Sequence, residues 1–160
     1  MKTRIQILNE IQTLKKQGGV YKWYITKEGA DQLGIPLNGT TIKNNLHLAY
    51  VGLSKDMRMR LKWHADDKHR PSSIKSGTLS VLRQKLNTLL TGRWDGKEIV
   101  DDFMDHHMKV EFEYSDDYET LELKEIQSNK LPLNARNNPN FTEFRRELSK
   151  RNGQAKRNSL

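Results

Sequence analysis

Six residues of this chain pair reactive side chains with informative spacing. Tyr21 and Tyr50 each sit in a glycine-bearing tripeptide, Gly19-Val20-Tyr21 and Tyr50-Val51-Gly52. Arg60 follows Tyr50 by ten residues and His64 follows it by fourteen, while Glu122 precedes Asn134 by twelve. The chain has no cysteine. Thiol catalysis, disulfides and cysteine-ligated zinc are therefore excluded, and any chemistry runs through oxygen and nitrogen groups. Taken singly, Tyr21 and Tyr50 read as half-buried strand aromatics and Arg60 as a solvated helix residue, so it is their order that carries information. The pairs His106-His107 and His64 with His69 lack the i, i+4 spacing of a helical two-histidine ligand set, and no zinc is expected there.

Positioning these groups falls to the elements around them. Residues 20–25 (Val-Tyr-Lys-Trp-Tyr-Ile) follow a glycine pair and are rich in aromatic and β-branched types. They predict a strand with Tyr21, Trp23 and Ile25 on one face. A second strand is expected at Leu46–Val51, ending at Gly52. A third is expected at Met108–Tyr114, where Val110, Phe112 and Tyr114 alternate with charged residues. Asp56–Asp66 reads as a helix with Met57, Leu61 and Ala65 as its apolar stripe, and Arg60 and His64 lie along the edge of that stripe. Leu79, Leu82, Leu86 and Leu89 mark Thr78–Thr91 as a core helix. Further helices are expected over residues 4–16, over Asp95–His107, from an Asp116-Asp117 cap to Ser128, and from Thr142 into a basic tail that frays from Asn152. Thr26–Asn45, with at most a short helix at Lys27–Leu33, and Lys68–Gly77 read as loops.

The expected fold is α/β: a small, mostly antiparallel three-stranded sheet flanked by helices. Residues 1–18 form an N-terminal helix packed on a core of residues 19–134, and residues 135–160 form a basic helical extension. A length of 160 residues suits one domain. No apolar run reaches the roughly 20 residues of a membrane helix, and no signal-like h-region opens the chain, so a cytoplasmic protein is expected. The net charge of +8 favours polyanionic partners. Its distribution is uneven: residues 55–93 carry 10 basic and 3 acidic groups and residues 130–160 carry 8 and 2, flanking a stretch 94–129 with 3 and 12.

The two tripeptides, with Arg60, His64, Glu122 and Asn134 following in that order, resemble the GIY-YIG nuclease superfamily. Tyr50-Val51-Gly52 with Arg60 and His64 is similar to that family's Y-[IV]-G-x7-R-x3-H arrangement. Glu122 with Pro132-Leu133-Asn134 looks like its closing helix and P-x-N ending. Valine stands for isoleucine in both tripeptides, and the gap of 29 positions between Tyr21 and Tyr50 is closer to restriction-enzyme-like members than to compact homing endonucleases. Ser76-Gly77-Thr78-Leu79 and the run from Leu131 through Phe141 to Leu148 resemble a bacterial and phage branch.

This resemblance implies a divalent-metal-dependent endonuclease acting on double-stranded DNA. Phosphodiester hydrolysis needs an activated water, a cation beside the phosphate and a stabilised leaving oxygen. The resemblance assigns Tyr21 to the water, with Tyr50 and His64 supporting it, and Arg60 to clamping the phosphate and lowering the tyrosine pKa. It assigns Glu122 to Mg²⁺ or Mn²⁺ and Asn134 to positioning by hydrogen bonds. Glu125 competes with Glu122 on the same helix, and the spacing to Asn134 favours Glu122. Lys55, Arg58, Lys62, Lys68, Arg70, Lys75, Arg83, Arg145, Arg146, Lys150 and Arg151 are candidate phosphate contacts. A sequence-specific duplex cutter generally needs two sites, which implies a homodimer or a partner subunit. The alternatives are a basic DNA-binding module without catalysis, or an RNA-cleaving enzyme using the same residues.

Overall fold

The computed structural model describes residues 1–160. Its centre is strand β1 (Gly19–Thr26), flanked by β3 (Leu46–Ser54) and β4 (Met108–Tyr114), with a two-residue strand β2 (Ile42–Lys43) outside β3. All pairings are antiparallel in the order β2-β3-β1-β4. The sheet therefore has four strands, not three. The extra one is too short and too polar to show a period, and it is exposed on both residues.

In register, Tyr21 faces Gly52 and Trp23 faces Tyr50, after which a bulge between Trp23 and Tyr24 shifts the ladder. Side chains alternate across the sheet as strand geometry requires. Tyr21, Trp23 and Ile25 enter the larger core with Leu61, Ala65, Leu82, Leu86 and Met104, while Val20 and Tyr24 join Leu48, Val51, Ile126 and Leu131 in a smaller one. Helices α3 (Met57–Asp66), α5 (Val81–Thr91) and α6 (Lys97–His107) supply the first core, and α7 (Tyr118–Ser128) supplies Ile126 to the second.

The N-terminal helix α1 covers only Arg4–Asn9, held by a capping box between Thr3 and Gln6, and a short 3-10 turn at Ile11–Thr13 replaces the rest of the expected helix. Lys2 ahead of it exchanges two backbone hydrogen bonds with Val110 (2.7 and 2.8 Å), which closes part of the free edge of β4. Helix α2 (Lys27–Leu33) starts at a Thr26 cap and ends at Gly34 in the left-handed region.

Two expectations about irregular segments fail. Lys68–Gly77 contains helix α4 (Pro71–Ser76), with proline in the first turn and Gly77 at φ +75° as its stop. Beyond Asn152 the chain stays helical, because α8 (Thr142–Asn158) is fastened along its length. Asn152 Oδ1 accepts from Thr88 Oγ1 (2.8 Å) and Trp94 Nε1 (3.0 Å), and Ala155 is buried against Ile74, Leu79 and Trp94. No helix is long and apolar enough to cross a membrane.

Arg83 fixes the helix that carries two of the candidate residues. Its side chain is fully buried, and its Nη1 donates to the carbonyl oxygens of His64 (3.0 Å) and Ala65 (3.1 Å) at the end of α3. Its Nη2 pairs with Asp101, and its Nε donates to His69 Nε2 at 2.9 Å. Helix-terminal carbonyls lack intrahelical donors, so a buried guanidinium there replaces water and locks α3 onto α5 and α6. Expected as a phosphate contact, Arg83 is instead sealed inside. Arg83→Met leaves the His64 carbonyl without its donor, while Asp101 keeps Lys97 and the Ala65 carbonyl keeps Arg4, and is expected to lower unfolding stability in urea by about 2 kcal/mol.

Candidate active site

The cleft where the candidates meet opens beside the outer edge of β3. It has a volume of about 470 Å³, and its walls include Tyr21, Tyr50, Gly52, Arg60, Glu122 and Asn134. A smaller hollow of about 220 Å³ lies over the β1–β4 ladder at Lys22 and Glu111. Glu111 there is already engaged by Tyr24 Oη (2.6 Å) and Lys43 Nζ (2.5 Å), leaving it little capacity for a ligand.

Both tripeptide glycines have a steric cause. A Cβ on Gly52 would lie 2.2 Å from the Tyr21 hydroxyl, and a Cβ on Gly19 would lie 2.2 Å from the Glu113 carbonyl oxygen. Gly19 thus lets β4 come alongside β1. Gly52, directly across the ladder from Tyr21, leaves the space that the phenol occupies.

Tyr21 is 1 % exposed, and its Oη lies 2.7 Å from His64 Nε2. His64 is completely enclosed, with Nδ1 2.7 Å from Ser80 Oγ. The Tyr21 and Tyr50 rings lie 6.3 Å apart, centre to centre, and each approaches His64, at 5.0 and 6.2 Å. Burial, with the fixed charges of Arg60 and Arg83 adding to it, drives the His64 pKa down to about 3, so its imidazole is neutral. Burial likewise pushes the Tyr21 phenol well above its ordinary range, and the neighbouring Tyr50 adds to this. Arg60 opposes the rise without cancelling it. Tyr50 is raised for the same leading reason. Arg60 was expected to depress the tyrosines; within the protein alone, desolvation outweighs it.

Arg60 stacks over the Trp63 ring at 4.9 Å and makes no ion pair, so its charge is available to the cleft. Glu122 is half-buried and has neither a hydrogen-bond partner nor a salt bridge. Burial raises its carboxyl above the usual range, against the pull of Arg136 and Arg60. Glu125, its rival, is paired with Lys22 at 3.0 Å. Asn134 is buried and works on backbone: its Oδ1 accepts from Val51 N–H (2.9 Å) and its Nδ2 donates to Val51 O (2.8 Å). It thereby caps the open edge of β3 in place of another strand.

Two cations that sequence reasoning passed over also line the cleft: Lys85 from α5 and Arg136, two residues after Asn134. Lys85 donates to the Leu133 carbonyl and lies 5.7 Å from the Tyr50 ring centre, and burial lowers its pKa to about 8. Position relative to Asn134 was the available signal for Arg136; for Lys85, a polar residue on a leucine-rich helix, there was none.

Seven of the proposed phosphate contacts divide into two groups. Lys55, Lys62, Arg70, Lys75 and Arg146 are exposed. Arg58 is committed to the carbonyls of Leu14 (2.6 Å) and Gln12 (2.9 Å), and Arg145 to those of Asn140 (2.7 Å), Asn138 (2.6 Å) and Ala135 (3.3 Å). Both hold loops, and their remaining donor capacity is small.

Comparison with known proteins adds a match to the GIY-YIG catalytic domain over residues 19–154. The chain belongs to the GIY-YIG family. No curated protein and no solved structure matched the chain. The GIY-YIG domain is a nuclease domain, so a nucleic acid is the substrate class, and the family match runs from the first tripeptide well into α8.

Glu122 also carries a consequence for stability. Its folded pKa lies above the unfolded value, so the ionised carboxylate disfavours the native state at neutral pH, and this penalty fades as pH falls through the folded pKa. Glu122→Gln is therefore expected to raise the metal-free thermal midpoint at pH 7, with the gain shrinking toward pH 4. A variant less stable than the wild type at pH 7 would contradict it.

Proposed function

We propose that this GIY-YIG protein is a divalent-metal-dependent endonuclease that hydrolyses the backbone of duplex DNA at the Tyr21–Glu122 cleft. The observation that carries the reading is the convergence of a buried tyrosine pair, a free arginine and an unpaired, desolvated carboxylate on one open cleft. A structural role alone gives little reason to keep Glu122 ionisable and unpartnered in that position.

The donor set suits a hard cation. Glu122 is the cleft's one carboxylate, and no three His, Cys, Asp or Glu side chains gather anywhere in the fold. That is too few for zinc, but it fits Mg²⁺ or Mn²⁺, which retain waters and complete their shell with substrate phosphate oxygens. Such a cation, when bound, neutralises phosphate charge and acidifies a coordinated water.

The chain's own residues do the rest. Tyr21, fixed by His64, orients the attacking water, and Tyr50 walls the same space. Arg60, joined by Arg136 at the rim, takes the phosphate oxygens through charge-assisted hydrogen bonds. Asn134 keeps Tyr50 and Gly52 in place by holding Val51 between them. The exposed Lys55, Lys62, Arg70, Lys75 and Arg146 contribute salt-sensitive contacts to the backbone of the duplex.

The test is supercoiled plasmid incubated with Mg²⁺, Mn²⁺ or EDTA, with Glu122→Ala alongside and single-stranded RNA as a second substrate. Nicking or linearisation that requires metal and falls more than about 100-fold in the variant is expected, on the scale of losing one charge-stabilising group. Duplex binding should survive the substitution. Binding without cutting under every condition would favour a non-catalytic DNA-binding module, and preferential RNA cleavage would move the substrate assignment to RNA.

A further inference from the structure

Ser80 is the last member of a buried chain of hydrogen-bonding groups that begins at Tyr21. It is fully enclosed and caps α5, its Oγ accepting from Arg83 N–H at 3.3 Å. Its backbone N–H donates to Asp67 Oδ2 at 2.8 Å. The same Oγ lies 2.7 Å from His64 Nδ1, and the opposite nitrogen of that ring lies 2.7 Å from the Tyr21 hydroxyl.

We propose that Ser80 is a positioning residue that holds His64 as its Nε2–H tautomer, making His64 a hydrogen-bond donor to Tyr21 rather than an acceptor of its proton. The proposal rests on the reading of Tyr21 as the group that orients water.

Proton accounting decides between the two tautomers. A hydroxyl has one proton to give, and burying it without an acceptor is costly. Around Ser80 the one side-chain acceptor within hydrogen-bond distance is His64 Nδ1. If Nδ1 carried the proton, Ser80 Oγ would face two donors, and its own proton would be stranded in a site closed to water. With the proton on Nε2, Ser80 donates to Nδ1, accepts from Arg83, and is satisfied. Nε2–H then donates to Tyr21 Oη, and the Tyr21 proton turns toward the cleft that Tyr21 lines. Water or substrate can accept it there. The two ends of the chain are unequal: one opens on the cleft and the other does not. The doubly protonated ring does not compete, because burial beside Arg60 and Arg83 keeps His64 neutral.

This arrangement gives the enclosed histidine a purpose in the site. A neutral donor on the phenol oxygen favours negative charge there, in the same sense as Arg60. It also removes His64 as a base for Tyr21, since its one available nitrogen lone pair points away, toward Ser80.

The tautomer can be read directly by long-range proton–nitrogen NMR on the full nitrogen-15-labelled chain, with the His64 signals assigned by their loss in His64→Gln. The expected spectrum has a protonated Nε2 and a bare, hydrogen-bonded Nδ1. In Ser80→Ala the Nδ1 resonance should move to the position of an unbonded imine nitrogen, and plasmid cutting should fall about tenfold. Ser80→Thr, which keeps both hydroxyl and helix cap, should match the wild type in both readouts. A proton on Nδ1 in the wild type overturns the proposal, as does Ser80→Ala with an unmoved Nδ1 resonance and full cutting. A protein with the expected tautomer that cuts no nucleic acid would instead sink the nuclease reading and leave the hydrogen-bond assignment standing.

Discussion

Burying a phenol hydroxyl inside a sheet requires two things at once: a space on the neighbouring strand and a polar partner at its far end. Gly52 provides the first, directly across the ladder from Tyr21, and His64 provides the second at 2.7 Å. The larger fold follows from keeping those two in place. Asn134 holds the strand that carries Gly52 by both backbone groups of Val51. Arg83 holds the helix that carries His64 by the carbonyls of its last turn, and it is anchored in turn by Asp101 on α6. A tyrosine in a half-open groove would have needed none of this.

The consequence is a cleft whose ionisable side chains are shifted by burial toward their uncharged forms. Burial raises Tyr21, Tyr50 and Glu122, and holds His64 neutral. Tyr21, Tyr50 and His64 are thus kept uncharged by the protein alone and Glu122 gives up its proton less readily than a free carboxyl, while Arg60 and Arg136 leave the cleft biased toward anions. Site residues held at a cost to the native state are a common mark of function.

How much of this the sequence revealed depends on range. The strands carrying Tyr21 and Tyr50 and the helix carrying Arg60 and His64 were legible, because period and glycine punctuation are local signals. The order of the six candidate residues pointed to one place in the fold, and five of them line a single cleft with His64 bonded behind Tyr21. The two-residue β2 was not, since a strand that short has no period. Helix α4 stands where polar composition predicts a loop: Pro71 and Gly77 do mark its ends, but Ile74 is its single apolar residue and no stripe connects them. The tail beyond Asn152 was expected to fray because its helix-stabilising contacts, to Thr88, Trp94 and Ile74, come from residues far away in sequence. Ser80, Lys85 and Arg83 escaped for the same reason. Ser80 falls inside the expected Thr78–Thr91 helix rather than at its cap, and lysines and arginines on a helix read as surface, until packing shows what lies opposite. That Arg83 is the most enclosed cation in the chain is a property of the α3–α5–α6 junction, not of its neighbours in sequence.

The chemistry proposed for the cleft turns on a single oxygen atom, and removing that atom tests it most sharply. Tyr21→Phe keeps the ring in its core and deletes the hydroxyl that meets His64. Its plasmid cleavage in Mg²⁺, measured beside the wild type and with thermal midpoints for both, should fall by more than about 100-fold, the usual scale for a group that handles the proton of an attacking water, while the fold stays cooperative. Cleavage within about threefold of the wild type in a folded Tyr21→Phe protein would contradict the role given to the Tyr21 hydroxyl.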